Sequence, residues 1–446
     1  MQNNTKAYSI KHIWNVSYPI IIGLLAQNII NVTDTAFLGR VGEVELGASA
    51  IGGIFYICLF TVFFGFSTGA QIIIGRRNGE KNYKAIGSVV IQGFFFLMVL
   101  AVVLFILSQL YAGDIMRLMI SSEAVWEATM TFLYWRVIGF FFDVFNVMFR
   151  AFYIGITKTK ILTANAIVMA ITNVFLGYAM IFGEFGFPEM GIKGAAISSV
   201  ISEFASTLFY IIYTLHKIDY KKYGFKRMKS IDFNLLKQVL TISIYTMFQY
   251  FISMSTFFLF FIIIERQGEH SLAIANIVRS IYVVMFIPLN ALSATSNTLV
   301  SNIIGEGKVG EVMPLIRRIS KLSFIIMLAY VALLCIFPQY VLSIYTNNAA
   351  LISESIPSIY VISIALIISS VGSVYFNSIS GTGNTKSALA LELIVLAIYT
   401  GGIYFIGIEL KQPVHICFCI EIFYFVGLFI ISAIYLRFAN WQKKKI

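Results

Sequence analysis

Residues 34–160 of this chain recur 226 residues later without an insertion. Arg40, Gly42, Glu43, Leu46 and Tyr56 align with Arg266, Gly268, Glu269, Leu272 and Tyr282, and Gly79 and Glu80 with Gly305 and Glu306. Further on, Gly155, Thr159 and Lys160 align with Gly381, Thr385 and Lys386. In a chain that is 59% hydrophobic, coincidences among apolar residues mean little. These are glycines and charges in polar turns, and all keep one register. Two structurally similar halves fused head to tail account for that.

Only 12% of the 446 residues are charged, half of what a soluble domain carries. Apolar runs long enough to cross about 30 Å of hydrocarbon recur along the whole sequence. They predict twelve helices, near 14–38, 46–74, 85–110, 127–152, 161–183, 191–215, 238–264, 272–301, 319–338, 355–379, 387–409 and 413–437. The expected fold is therefore an all-α membrane protein with six spans per half. An even number gives both halves the same orientation, related by an axis along the membrane normal. The expected division is a lobe over 1–216, a basic linker over 217–237 and a second lobe over 238–446, with a central cavity between the lobes. Duplicated halves of this kind are typical of transporters, whose substrates bind at the repeat interface. The first helix is too long for a cleaved signal peptide and lacks a small-residue cleavage site.

A formal charge of +11 raises the question of nucleic acid, but its distribution answers otherwise. With the N-terminus placed in the cytoplasm, 25 of the 32 Lys and Arg fall on the tails and even-numbered loops. The odd-numbered loops hold five (Arg40, Arg117, Lys193, Arg266, Lys411), and Arg136 and Arg279 lie inside helices. That asymmetry is the positive-inside rule and puts both termini in the cytoplasm, in a multi-pass protein of the inner membrane. The run from Lys217 to Lys229 then serves as a topology anchor between the halves. The expected partners are the bilayer and small organic molecules, with no nucleic acid, and the chain is expected to act as a monomer.

Enzymatic chemistry finds no foothold. Gly381-Thr-Gly-Asn-Thr-Lys386 has the wrong spacing for a phosphate loop, and its first-half partner is Gly155-Ile-Thr-Lys-Thr-Lys160; both read as tight turns. His12, His216, His270 and His415 are far apart, without metal-ligand spacing. Cys417 and Cys419 point to different sides of a helix and, with Cys58 and Cys335, read as inert apolar thiols. No cofactor or metal is expected, beyond a coupling ion that is H⁺ or Na⁺.

Polar groups inside spans are expensive, so they face the bundle interior or water. The first span carries Gln27, Asn28, Asn31, Asp34 and Thr35 as one stripe. Asp34 sits toward its extracellular end, either as an interfacial aspartate or as an ion or proton site. The fifth span offers Asn165, Thr172 and Asn173 on a shared face, and the sixth Ser199, Ser202, Glu203 and Ser206. Serines so spaced also suit close helix packing; Glu203, near mid-membrane, resists that reading. Gln27, Asn31 and Glu203 are the candidate lining of the cavity. In the fourth span Arg136, Asp143, Asn146 and Arg150 share a side and suggest a structural Arg–Asp arrangement. Glu392 and Glu421 lie in the last two spans, where Arg279 is a candidate partner. Asp34, Asn165 and Asn173 align with Phe260, Leu391 and Tyr399, so a cation site is expected in the first half.

The chain resembles the multidrug and toxic compound extrusion (MATE) family over nearly its whole length. The resemblance rests on Asp34-Thr-Ala-Phe-Leu-Gly-Arg-Val-Gly42, Gly75-Arg-Arg-Asn-Gly-Glu80, the Gly155 and Gly381 turns, Asn173 through Phe182-Gly183, and Gly194-Ala-Ala-Ile-Ser-Ser199. It implies export of organic, often cationic and amphipathic compounds by alternating access, driven by inward H⁺ or Na⁺. It implies coupling through an aspartate, an asparagine and a hydroxyl residue, matched by Asp34, Asn173 and Ser199, with Asn165 nearby. Many relatives carry a second aspartate where this chain has Gly177, and the NorM-like branch uses acids in the seventh and tenth spans. The seventh span here has none and the tenth only Glu354, which brings the chain closer to the DinF-like branch. One carboxylate with amides fits a proton switch at least as well as a Na⁺ site. The alternative function is a flippase of lipid-linked oligosaccharide or a related polyprenyl-linked precursor, which would require several cationic side chains in its cavity.

Overall fold

All twelve apolar runs are helical in the computed structural model, which describes residues 9–225, 231–346 and 348–443. The first half comprises α1 (Ile10–Val41), α2 (Glu43–Gly79), α3 (Tyr83–Met119), α4 (Glu123–Arg136), α5 (Phe140–Gly155), α6 (Lys160–Phe182) and α7 (Gly191–Lys217). The second comprises α8 (Phe233–Glu265), α9 (Glu269–Gly305), α10 (Val312–Ile336), the short α11 (Pro338–Ser343), α12 (Ala349–Gly381), α13 (Thr385–Tyr404) and α14 (Val414–Phe438). No strand occurs among the described residues. A 3₁₀ turn over Val137–Gly139 joins α4 to α5 as the fourth span, and a π-helical turn over Phe405–Glu409 extends α13 as the eleventh. The spans run several residues past most of the expected limits. Their end turns carry Glu43 and Glu45 or Arg76 and Arg77, which suit the helix dipole but register as polar in a hydropathy reading.

The repeat is visible in the helices themselves. α2 and α9 are both 37 residues long and start and stop at aligned positions, and α5 and α12 both end at the repeated glycine. A Cβ on Gly155 would sit 3.3 Å from the Gln71 carbonyl and 2.5 Å from Ile74, while one on Gly381 would sit 2.5 Å from the carbonyl of Asn297, the residue aligned with Gln71. Each half thus uses one glycine to bring the end of its fourth span against its second.

The chain forms two compact units, Ile22–Met247 and Met1–Ile21 with Phe248–Ile446. The cuts fall inside α1 and α8 at aligned positions, so equivalent first stretches of these helices are exchanged between the units. In the first unit Gly65 and Gly69 of α2 receive α8: a Cβ there would meet Met247 and Ser243 at 2.6 and 2.3 Å. Thr246 donates to the Gly65 carbonyl at 2.7 Å. Small residues four apart let two backbones approach in this way. In the second unit Ile13 is fully buried in a core with Leu292, Leu299 and Val374. The basic segment after α7 is docked where it is described: Gly87 N–H donates to the Tyr223 carbonyl at 2.8 Å, and Lys222 lies 4.2 Å from the Tyr83 ring. Residues 226–230 of that linker lie outside the described residues.

Candidate functional site

The first unit gathers its polar residues around two linked centres. At one, Ser199 on α7 donates to Asp34 Oδ2 at 3.4 Å, and Asn173 Nδ2 on α6 donates to Ser199 Oγ at 3.3 Å. Asp34 Oδ1 and Asn173 Oδ1 are both buried without a hydrogen-bond partner. Three helices therefore converge on these residues, two of whose acceptor oxygens are buried without a partner. A Cβ on Gly177 would point to within 3.8 Å of Asp34 Oδ1, so that position also addresses the aspartate. Phe37, one turn beyond Asp34, packs edge-on to Tyr178 and Phe182 at 5.9 and 5.7 Å and fixes the end of α1 on α6.

The second centre departs from expectation. Arg136 does not pair with Asp143; its guanidinium forks onto Glu203, with Nη1 and Nη2 at 3.0 and 2.6 Å from the two carboxylate oxygens. The bidentate match of a planar fork to a carboxylate is what Arg offers and Lys does not. The guanidinium also lies 3.7 Å over the Tyr56 ring, and the Tyr56 hydroxyl donates to Asp143. The 3₁₀ turn between α4 and α5 makes this possible. It passes Gly139 so close that a Cβ would stand 2.2 Å from Glu203 Oε2 and 2.5 Å from Arg136 Nη1. Hydropathy alone carries no signal for that break. Arg136 and Asp143 do share one cluster, since both touch Tyr56, but the direct partner of the guanidinium is Glu203.

Glu203 is thus not a free carboxylate lining a cavity but a buried partner of Arg136, 2% exposed. Asn165 does not bond Asp34. Its amide donates to Ser206 at 2.8 Å, and Ser206 donates to Asn146, which in turn donates to the Glu203 carbonyl at 3.1 Å. Gln27 and Asn31 are exposed on α1, next to Thr35, which donates back to the Asn31 carbonyl. Arg150 lies over Phe64 at 4.7 Å. Among the described residues no cluster of three or more His, Cys, Asp or Glu could hold a metal ion, and the four cysteines are free thiols. Tyr56 is the member of this cluster that sequence reasoning did not single out as a site residue. Its exact recurrence as Tyr282 was the available signal.

Among the described residues, Glu392 and Glu421 in the second unit have no cationic partner. Arg279 instead lies 5.0 Å over the Phe261 ring. Glu392 accepts from Ser253 at 2.7 Å and from Tyr424 at 3.1 Å, and Glu421 accepts from Tyr399 at 2.7 Å.

Comparison with known proteins agrees with this architecture. The MatE family model matches residues 19–179 and 246–401, one stretch in each half. The probable multidrug resistance protein NorM of Thermotoga maritima is 26% identical over 392 residues, covering 86% of this chain and 82% of that protein. A solved outward-facing multidrug resistance MATE transporter of the MOP superfamily superposes with a TM-score of 0.89 at 18% identity, over 98% of this chain and 97% of the other. A MOP-superfamily transporter from Pyrococcus furiosus, whose binding pocket of reverse polarity suggests a different function, superposes at 0.88 with 20% identity over the full length of both. A family model matched in both halves, a relative aligned over most of its length and a shared fold lead to one conclusion: the chain belongs to the MATE family, a family of membrane transporters and not of enzymes.

Proposed function

We propose that this protein is a cation-coupled multidrug efflux transporter, exporting organic, often cationic amphipathic compounds across the inner membrane, with Asp34 as the coupling carboxylate. The observation that supports it most is the meeting of Asp34, Asn173 and Ser199 with two acceptor oxygens left unpaired. Two free oxygens are enough for a proton, shared between a carboxylate and an amide. They are too few for a bare metal cation, since hard cations gather several oxygen ligands. We therefore favour H⁺ over Na⁺ and a site chemistry nearer the DinF-like branch, despite relatives that carry the NorM name.

In this mechanism a proton reaching Asp34 from outside removes its negative charge and its capacity to accept as an anion. α1 is then biased toward a state with weaker affinity for the exported compound, which leaves outward. Loss of the proton to the cytoplasm resets it. The functional lobes are 1–216 and 238–446, both termini are cytoplasmic, and the protein works as a monomer. Gln27 and Asn31 present polar groups to the compound. Asn165 and Glu203 act behind the site, through the Ser206–Asn146 chain and the Arg136 pair. The flippase reading is disfavoured because Arg136 is already held by Glu203 and is not free to meet a pyrophosphate.

Ethidium efflux from energised cells tests the proposal. Export by the wild type should be lost in Asp34→Asn, collapse with a protonophore and ignore Na⁺. A strict Na⁺ requirement would replace the proton by a metal ion, and undiminished export by Asp34→Asn would remove Asp34 from the coupling.

A further inference from the structure

The second unit holds a cation that the coupling mechanism leaves unused. Arg279 stands about 15 Å along α9 from Glu269, inside the span, where a charge is expensive unless it meets water or a partner. It is half-buried, with its guanidinium 5.0 Å over the Phe261 ring of α8. Among the described residues no acidic side chain acts on it. The acids of this unit are turned elsewhere: Glu392 accepts from Ser253 and Tyr424, Glu421 from Tyr399, and Glu354 pairs with His270.

The internal repeat says which face this is. Asn276, Arg279, Ser280 and Val283 share one incompletely covered side of α9, with Val283 43% exposed. Their counterparts on α2 are Ala50, Gly53, Ile54 and Ile57, and a Cβ on Gly53 would meet nothing within 4 Å. An open face that is apolar in the first half is thus polar and cationic in the second. Phe257 and Phe261 likewise stand where the first half has Asn31 and Thr35, on the exposed stripe that begins at Gln27. Their rings meet edge to face at 5.2 Å. A surface turned to hydrocarbon gains nothing from Asn, Arg and Ser together, whereas one turned to water or to a solute does.

We propose that Arg279 is a specificity-determining residue, which with Phe257 and Phe261 binds aromatic amphipaths that carry a carboxylate. The inference rests on the reading of the protein as an exporter of organic compounds and extends its substrate class to zwitterions. A planar guanidinium fork takes both oxygens of a carboxylate at once, and the phenyl rings beside it offer the compound's own ring an apolar floor. Asn276, one turn before Arg279, adds an amide on the same face. The compound's anion then supplies the partner that the chain itself withholds from this arginine.

Fluorescence anisotropy of the purified, full-length protein in a neutral detergent tests this with two dyes of one scaffold: rhodamine B, which carries a free carboxylate, and its methyl ester. The wild type should bind rhodamine B about tenfold more tightly than the ester, the worth of one charge-assisted contact. Arg279→Gln should abolish that preference by weakening rhodamine B alone. Arg279→Lys keeps the charge without the fork and should retain only part of it. Should Arg279→Gln fail to fold, an undiminished preference in Arg279→Lys overturns the proposal. Equal loss of both dyes in Arg279→Gln would reduce the arginine to a prop for Phe261 and overturn it as well. Both dyes bound alike by the wild type sinks the Arg279 subsite alone; neither dye bound sinks it together with the multidrug reading. Displacement of rhodamine B, but not of the ester, by phosphatidylglycerol would assign Arg279 to a lipid headgroup and overturn the proposal.

Discussion

The two halves share a scaffold and differ in how they keep charge inside the membrane. Tyr56 and Tyr282 occupy aligned positions, and each presents its hydroxyl to a buried carboxylate, Asp143 in one half and Glu421 in the other. In the first half the charge is then balanced by an arginine: Arg136 stacks on Tyr56 and forks onto Glu203. In the second half, among the described residues, no cation pairs with the carboxylates, which accept from tyrosine and serine hydroxyls. Backbone geometry was duplicated and the polar chemistry was not. A repeated fold therefore sets where helices meet, while each half remains free to decide what charge sits at the meeting point.

The sharpest way to break this comparison is to remove the cation. Arg136→Met leaves Glu203 buried and unpaired and should lower stability in detergent by about 3–5 kcal/mol, far more than Glu392→Gln. Equal losses in thermal unfolding would mean that the arginine does not set the halves apart. Tyr56→Phe keeps the ring under Arg136 and deletes one hydrogen bond to Asp143, a loss of about 1.5–3 kcal/mol. Tyr282→Phe should lose less, since Glu421 keeps Tyr399 as a donor. The duplicated contact predicts equality instead: Gly155→Ala and Gly381→Ala each crowd the second span of their own half and should each lose about 1–3 kcal/mol. The smallest effect belongs to the exposed Arg117–Glu123 pair, 2.9 Å apart at the surface, where Arg117→Ala should stay within about 1 kcal/mol.

Much of this was legible in the residues. The repeat at 226 and the twelve spans follow from polar punctuation and from residue types that are expensive in lipid, whereas the grouping of Asp34 with Asn173 and Ser199 came from the family resemblance. What escaped depended on backbone detail with no hydropathic signature. A helical wheel groups Arg136 with Asp143 but says nothing of Glu203 on another helix, which takes the guanidinium directly. The exchange of the first stretches of α1 and α8 escaped for a similar reason: apolar faces of equal hydropathy do not say which neighbour they meet. Gly65 and Gly69, four residues apart, were the one written clue to that contact.

Transport into proteoliposomes under an imposed pH gradient, with wild type, Asp34→Asn and Glu392→Gln compared at equal protein, tests the central claim that the first half holds the coupling carboxylate. Gradient-driven movement of an organic cation should vanish in Asp34→Asn and persist in Glu392→Gln. Persistence in Asp34→Asn with loss in Glu392→Gln would move the coupling to the second half and contradict the account.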